Sequence, residues 1–478
     1  MRANDMNGTS KSTPGLGSKF GRVPLVPSYP TGSLDFLHAL HNGKEQHEGI
    51  APSAVTLDVM IVGAGLGGLS TAIALARKGH RVRVFEQAAK LGEVGAGIQI
   101  PSNSTRLLIK WGLEPLLAPR VVEPTNIRFR RWENGDVIGN TRLVPHFREN
   151  FGAPYYVIHR AHFHDVLHQQ ALSLGVEVVI NSKVRSYDAS KPSITLADGQ
   201  AYEADLVIAA DGIMSAARAV IHDGEEHKPL RTGFAAYRAI VEVDKMRQDP
   251  DTAWLLENPG LNIWIGDGRH VMTYSISGGN SFNMVLSHPS TSDPATWKQE
   301  TALGDMKAEF SGWDKTLTKL INMIDSTMKW PLSTGSKIER WIHPSNKLLM
   351  LGDAAHAMVP YMSQGAAMAV EDAAALAEAL DLIDHKDDVE RALYLWQDVR
   401  MKRTSQMQEA SLINGTLWHF ADGPEQRARD LAMRQEVEGK SFVSSPNQWT
   451  DPTTQRWCYG YDAEQEVRAA WEIRAETV

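Results

Sequence analysis

"LLMLGDAAHAMVPYMSQGAAMAVEDAAAL", residues Leu348 to Leu376, joins an apolar strand to a helix by way of Gly352-Asp353, Pro360 and Gly365. The helix is built almost entirely of small side chains, which let it lie close against a sheet. A plain core helix after a turn explains the alanines but not the Gly-Asp pair ahead of Pro360. The first amides of any helix lack partners within it, and Gly365 and Ala366 leave them uncovered. Together with the positive end of the helix dipole, such a terminus favours negative charge.

Two other strand ends carry comparable marks. In "VGAGLGG", Val62 to Gly68, the glycines Gly63, Gly65 and Gly68 follow an apolar strand and open a helix. Gly63 permits the tight turn, Gly65 lets a diphosphate approach backbone amides, and Gly68 lets helix and strand pack closely. Glu86 closes the next strand, "RVRVFEQ", where an acid accepts the ribose hydroxyls of an adenosine. NAD and FAD sites share this fingerprint. "ADLVIAADG" then ends in Asp211-Gly212. Asp-Gly is a common turn pair, but three such marks at the ends of apolar strands are hard to read as turns alone.

The chain as a whole sets bounds. Its 478 residues bury a large core, and 42% hydrophobic with 22% charged residues is ordinary for a globular protein. A net charge of -8 and no basic patch argue against nucleic acid. The one cysteine, Cys458, excludes an internal disulfide framework and fits a reducing, cytoplasmic setting, with organelle import left open. The run Ala54 to Ala76 has the length of a membrane span, but Asp58 and its glycines make it a buried strand and helix. No integral membrane segment is expected. Residues 1–50 mix Gly, Ser, Pro and isolated charges without period, which predicts a disordered extension. His164 and His168 stand at i, i+4 without a glutamate base or a third ligand, so they are read as surface or capping groups and no metal is expected.

These motifs together resemble the single-component FAD-dependent aromatic hydroxylases, the group of salicylate hydroxylase and the fungal phenol hydroxylases. The resemblance spans about residues 55–420. It implies an α/β fold: a Rossmann-like FAD-binding domain (55–230, with a β excursion at 127–158, and 341–400), an inserted antiparallel-sheet substrate domain (231–340) and C-terminal helices with an irregular tail (401–478). FAD would be bound by Gly63, Gly65, Gly68, Glu86, Gly97, Arg160, Asp211, Asp353, Gly365 and Ala366. Asp353 would hold the ribityl chain, and the helix start at Gly365 would face the pyrimidine edge of the ring. There is no second glycine fingerprint for NAD(P)H, as in that family, so NAD(P)H would be a transient reductant.

The family chemistry, a flavin hydroperoxide transferring oxygen to a phenol, implies a site that helps a group with a pKa near 10 ionise. The resemblance places Arg218 and Tyr237 in that role, with Tyr237 facing the flavin and Arg238 on the opposite face of its strand. His343 and His356 are further acid–base candidates, Gln99 stands where some relatives carry histidine, and Trp254, Trp264 and Met272 are candidate pocket walls. The substrate would be a small phenol and O2 the oxidant, with decarboxylation or dearomatisation as open outcomes and a monomer or homodimer as the assembly. Two other readings are an epoxidase of an apolar alkene and a non-catalytic escort protein of the same fold.

Overall fold

The computed structural model describes residues 53–92 and 95–476; the extension expected over residues 1–50 lies outside them. Apolar runs form a five-stranded sheet in the order Leu348–Met350, Leu206–Ala209, Asp58–Val62, Arg81–Phe85, Glu177–Val179. Every pairing is parallel. Leu206–Ala209 and Leu348–Met350 are buried at every residue, as parallel strands covered on both faces are, while Arg81–Phe85 alternates towards the sheet edge. The Leu66–Arg77 helix and the alanine-rich Gly365–Asp381 helix pack against each other beside this sheet.

The register of this sheet positions the site. Val62 is level with Phe85 and Ala209, and Ala209 is level with Met350. The residues that follow each strand therefore emerge along one carboxyl edge, where ligands of open parallel sheets bind. Gly63, Glu86, Asp211 and Asp353 are brought together in this way, although nearly 300 residues separate the first from the last.

A second, seven-stranded sheet runs Met328–Thr334, Leu230–Glu242, Ser281–Pro289, Arg269–Ile276, Leu261–Gly266, Asn126–Arg131, Val137–Arg142. Its pairings are antiparallel except where Leu261–Gly266 meets Asn126–Arg131. The β excursion at 127–158 is expected as part of the FAD-binding domain. Asn126–Arg131 and Val137–Arg142 instead extend the second sheet, because Ile127 and Phe129 share its buried core with Leu261 and Ile263. Both faces of this sheet are covered. Ala236, Met272 and Tyr274 belong to one core, while Tyr237, Ala239, Val241 and Trp264 belong to another beneath helices Ala302–Glu309 and Lys315–Asn322.

The C-terminal region is helical, through Val389–Trp418 and Pro424–Val437. The tail beyond is not irregular as expected, because it carries helices Pro452–Tyr459 and Ala463–Glu476. Asp451 caps the first through the Thr454 amide at 2.8 Å, with Pro452 at the first helical position. Among the described residues no helix is long and apolar enough to cross a membrane.

Two buried histidines make this core acid-sensitive. Burial holds His80 and His288 down to about 4, from an ordinary 6.5. Nδ1 of His80 accepts the Leu57 amide at 3.2 Å, a bond that protonation would destroy. The unfolded chain takes up these protons near pH 6.5 and the folded chain only near 4, so acidification through that window lowers stability. Each histidine is expected to cost up to about 3 kcal/mol by the lower end. Denaturant midpoints at pH 7.5 and 5 check this, and equal midpoints would refute it.

Candidate active site

The glycine loop is shaped by contact. Gly63 has φ +104°, and a Cβ there would sit 2.4 Å from the Ala210 carbonyl oxygen. A Cβ on Gly68 would sit 1.9 Å from the Gly63 carbonyl oxygen, so helix and strand meet at this point with no room for a side chain. Gly65 has open space beside it and lines a cavity. Glu86 lies against the loop and accepts the Ala64 and Ala88 amides at 2.9 and 2.8 Å. His164, expected as a surface or capping group, is buried and bonds the Ala64 carbonyl at 2.6 Å, which fixes the loop from the Arg160–Ser173 helix.

Gly68→Ala is expected to disturb this loop before anything else. Overpacking costs about 1–3 kcal/mol, which corresponds to roughly five- to 150-fold weaker retention of a ligand held there. Flavin absorbance per mole of purified protein measures it, and wild-type flavin content would contradict the assignment.

A cavity of about 300 Å³ opens at the carboxyl edge of the parallel sheet, between it and the second sheet. Gly65, Gly97, Arg160, Asp353, Gly365 and Ala366 all line it. Asp211 itself does not, although its neighbours Ala210 and Gly212 do. Its Oδ2 accepts the Ala216 amide at 2.9 Å and the Tyr187 hydroxyl at 3.1 Å, which shapes the turn, and its buried Oδ1 has no protein partner. A loop closed to side chains at Gly63 and Gly68 but open at Gly65, an exposed Asp353 at a strand end and a helix start at Gly365 with no side-chain cap together fit the diphosphate, ribityl and ring portions of a flavin dinucleotide.

The turn that presents Asp353 is held by ions that the sequence reading did not single out. Asp372, buried in the Gly365–Asp381 helix, accepts the Gly352 amide at 3.1 Å and bonds His356 Nε2 at 2.5 Å. Arg400 donates to Asp372 at 2.8 Å and to Glu371 at 2.7 Å, and Arg403 donates to Glu371 at 3.2 Å. The signal available in the sequence is the adjacent acid pair in the middle of a helix made mostly of small apolar residues. His356 thus serves the turn, and His343, bonded to Ser345 at 2.9 Å, stands away from the cavity.

The expected facing of the Leu230–Glu242 strand is reversed. Arg238 and Ala236 line the cavity; Tyr237 points to the other face, stacked on His288 with centroids 4.9 Å apart. The physical reason is the second apolar layer, which accepts the tyrosine ring beside Lys329 and leaves the cavity side to the arginine. Arg218 is not at the cavity either. Its guanidinium donates to the carbonyls of Ala354 at 2.8 Å, His227 at 2.9 Å and Ile213 at 3.1 Å, tying the Asp211 turn to the Asp353 turn. Of the expected walls, Met272 lines the cavity beside Gln99, whose amide donates to the Met272 sulfur at 2.9 Å. Trp264 is buried in the opposite core, and Trp254 stacks with Arg130 at 4.9 Å.

The charged side chains of the cavity are Arg160, Arg238 and Asp353. Burial lowers the Arg238 pKa, the Tyr274 hydroxyl raises it, and the Arg160 charge lowers it. The Arg238 Nε is buried without a partner. Burial holds the Tyr274 phenol well above 10, with Arg238 acting against that.

A nucleotide loop, an acidic strand end and an amide-bearing helix start that share one cavity with an apolar second sheet define a flavoprotein of the oxygenase type. The FAD binding domain family matches residues 56–409, and the chain belongs to it. The chain is 34% identical over 409 residues to the FAD-dependent monooxygenase OpS4 of Beauveria bassiana, covering 85% of this chain and 95% of that one. It is 32% identical over 416 residues to 3-hydroxybenzoate 6-hydroxylase 1 of Aquipseudomonas alcaligenes, covering 86% and 99%. A salicylate hydroxylase substrate complex matches with a TM-score of 0.70 at 25% identity, covering 87% and 98%. The chain is thus an FAD-dependent aromatic monooxygenase by family, with FAD as its cofactor.

Proposed function

We propose that the protein uses NAD(P)H and O2 to hydroxylate a small phenol that it holds as the phenolate, with Arg238 as the anchoring cation. The observation that carries this reading is the Arg238 guanidinium, set in the cavity wall with its buried Nε unpartnered. A buried cation without a counter-charge is costly, and a bound anion removes that cost. An apolar alkene would leave it in place.

In this reading Gly63, Gly65 and Gly68 admit the diphosphate of FAD, Glu86 takes the adenosine ribose, and Arg160 and Asp353 serve the ribityl region. Gly97, Gly365 and Ala366 border the ring, and Asp211 supports the turn beside it. FAD, when bound, supplies two-electron exchange with NAD(P)H and the activation of O2. Arg238 favours the ionised phenol, lowering a pKa near 10 by about 1–3 units as an adjacent opposite charge does. The ionised ring is then a far better nucleophile towards electrophilic oxygen. Met272 and Val285 supply apolar wall against which a ring can lie and from which water is excluded.

A panel of 3-hydroxybenzoate, salicylate and unsubstituted phenol, assayed for NAD(P)H oxidation with isotopically labelled O2, tests the reading. At least one should give a hydroxylated product carrying a labelled oxygen atom. Oxidation of NAD(P)H with peroxide as the only oxygen product for every phenol would overturn it.

A further inference from the structure

His270 lines the same cavity from the Arg269–Ile276 strand, on the face that also carries Met272 and Tyr274. It is 3% exposed. Its Nδ1 lies 2.8 Å from Nε2 of His419, the residue that ends the Val389–Trp418 helix and is itself only half-buried. The two imidazoles stack at 5.1 Å and 22°. Phe234 stacks on His419 at 4.6 Å, and Tyr361 meets both rings edge-on. A core built for packing alone would use apolar rings here, because burying imidazole costs hydration that one shared hydrogen bond only partly returns.

The groups around the pair keep both rings neutral. Burial holds His270 well below its ordinary value, with His419 acting in the same direction. Burial and the Arg429 charge bring His419 down to about 3. Arg429 approaches from the Pro424–Val437 helix, where it is paired with Asp430 at 2.7 Å. Tyr361 comes from the turn Pro360–Met362, and Ser287 is level with His270 on the neighbouring strand. A neutral pair with one proton between two nitrogens can move protons by exchanging tautomers, with no imidazolium to store.

We propose that His270 and His419 form a proton relay between the cavity and solvent, which carries away the hydroxyl proton of a bound phenol. The relay rests on the phenol reading above. The phenol O–H bond breaks and its proton joins Nε2 of His270; the proton on His270 Nδ1 passes to Nε2 of His419; the proton on His419 Nδ1 leaves to water. Neither ring gains net charge, and no electrons change hands. Reprotonation of the product phenolate runs the sequence backwards and restores both tautomers.

The oxidised holoenzyme is mixed with whichever phenol of the panel best stimulates NAD(P)H oxidation, and phenolate absorbance and proton release to a pH indicator are followed. His419→Gln keeps a hydrogen-bonding partner for His270 but cannot relay. It should slow ionisation of the bound phenol about 10²-fold, leave the flavin-monitored affinity for the phenol within about twofold, and recover on addition of imidazole. An unchanged ionisation rate would overturn the relay while leaving phenol hydroxylation intact. Should the variant not fold, the wild type decides: ionisation rates in mixed H2O and D2O should depend non-linearly on the deuterium fraction, and a linear dependence overturns the relay. If no phenol of the panel perturbs the flavin spectrum or turns over, the phenol reading fails and takes the relay with it.

Discussion

Arg238→Ala should lower kcat/KM for the phenolic substrate by about 10²-fold, while FAD content stays at the wild-type level. The size follows from losing a hydrogen-bonded charge pair, about 1.5–3 kcal/mol, in a site where the phenolate has no other cation on the sheet wall. Because the arginine acts on ionisation, the loss should shrink at alkaline pH, where the phenol ionises without help. Arg238→Lys should recover part of the activity, since a point charge replaces the planar fork but not its geometry. Tyr237→Phe is the companion experiment, and because that ring packs in the opposite core it should change kcat/KM by less than about twofold. Full turnover in Arg238→Ala together with a collapse in Tyr237→Phe would restore the tyrosine as the catalytic group.

The difference between these two neighbours shows what the sequence could convey. Strand periodicity correctly separates Tyr237 from Arg238, because successive side chains alternate faces. It does not say which face meets the cofactor. In a sheet covered on one side only, the arginine would take the solvent face. Here the Ala302–Glu309 and Lys315–Asn322 helices cover the second face, so both faces are interior and the alternation is silent about function.

The cofactor side was far more legible, for a local reason. The spacing of Gly63, Gly65 and Gly68 is fixed within one turn of chain. The three strand-end marks needed only parallel pairing in register to meet, and that pairing is present. Arg218 sits outside the cavity because its guanidinium is held by carbonyls from distant turns, Ala354 among them. Pairings across such separations leave no periodic trace. The ion cluster joining Glu371 and Asp372 to Arg400 and Arg403 is hidden in the sequence for the same reason, and the capping pair Asp451-Pro452 lies within a Trp-bearing stretch that has no period of its own.

That cluster leads to the largest expected loss of stability. Arg400→Met should destabilise the fold by about 3–5 kcal/mol, read as a shift in denaturant midpoint at constant slope. The side chains of Arg400, Glu371 and Asp372 are each 0% exposed, so removing the cation takes one charge partner from each of two buried carboxylates and leaves Asp372 with His356 alone. The attraction is already in use in the folded state. Burial alone would raise the Asp372 pKa, yet His356 and Arg400 together hold it below the usual carboxylate range. Arg81→Ala is the control. Its partner pair with Asp58 is 66% and 50% exposed, and an exposed pair contributes about 0–1 kcal/mol. The damage from Arg400→Met should also reach the cofactor, since Asp372 holds the Gly352 amide and with it the turn that presents Asp353. Flavin should therefore be lost at denaturant concentrations below the global transition of the variant. Arg403 remains to hold Glu371 and the carbonyls of Trp457 and Cys458, so the C-terminal helices should stay docked. The double replacement Asp372→Asn, Arg400→Met should regain part of the lost stability, because Glu371 keeps Arg403 as its partner and position 372 no longer carries a buried charge. A single Arg400→Met variant as stable as the wild type would mean that water or a relaxed backbone already shields these carboxylates.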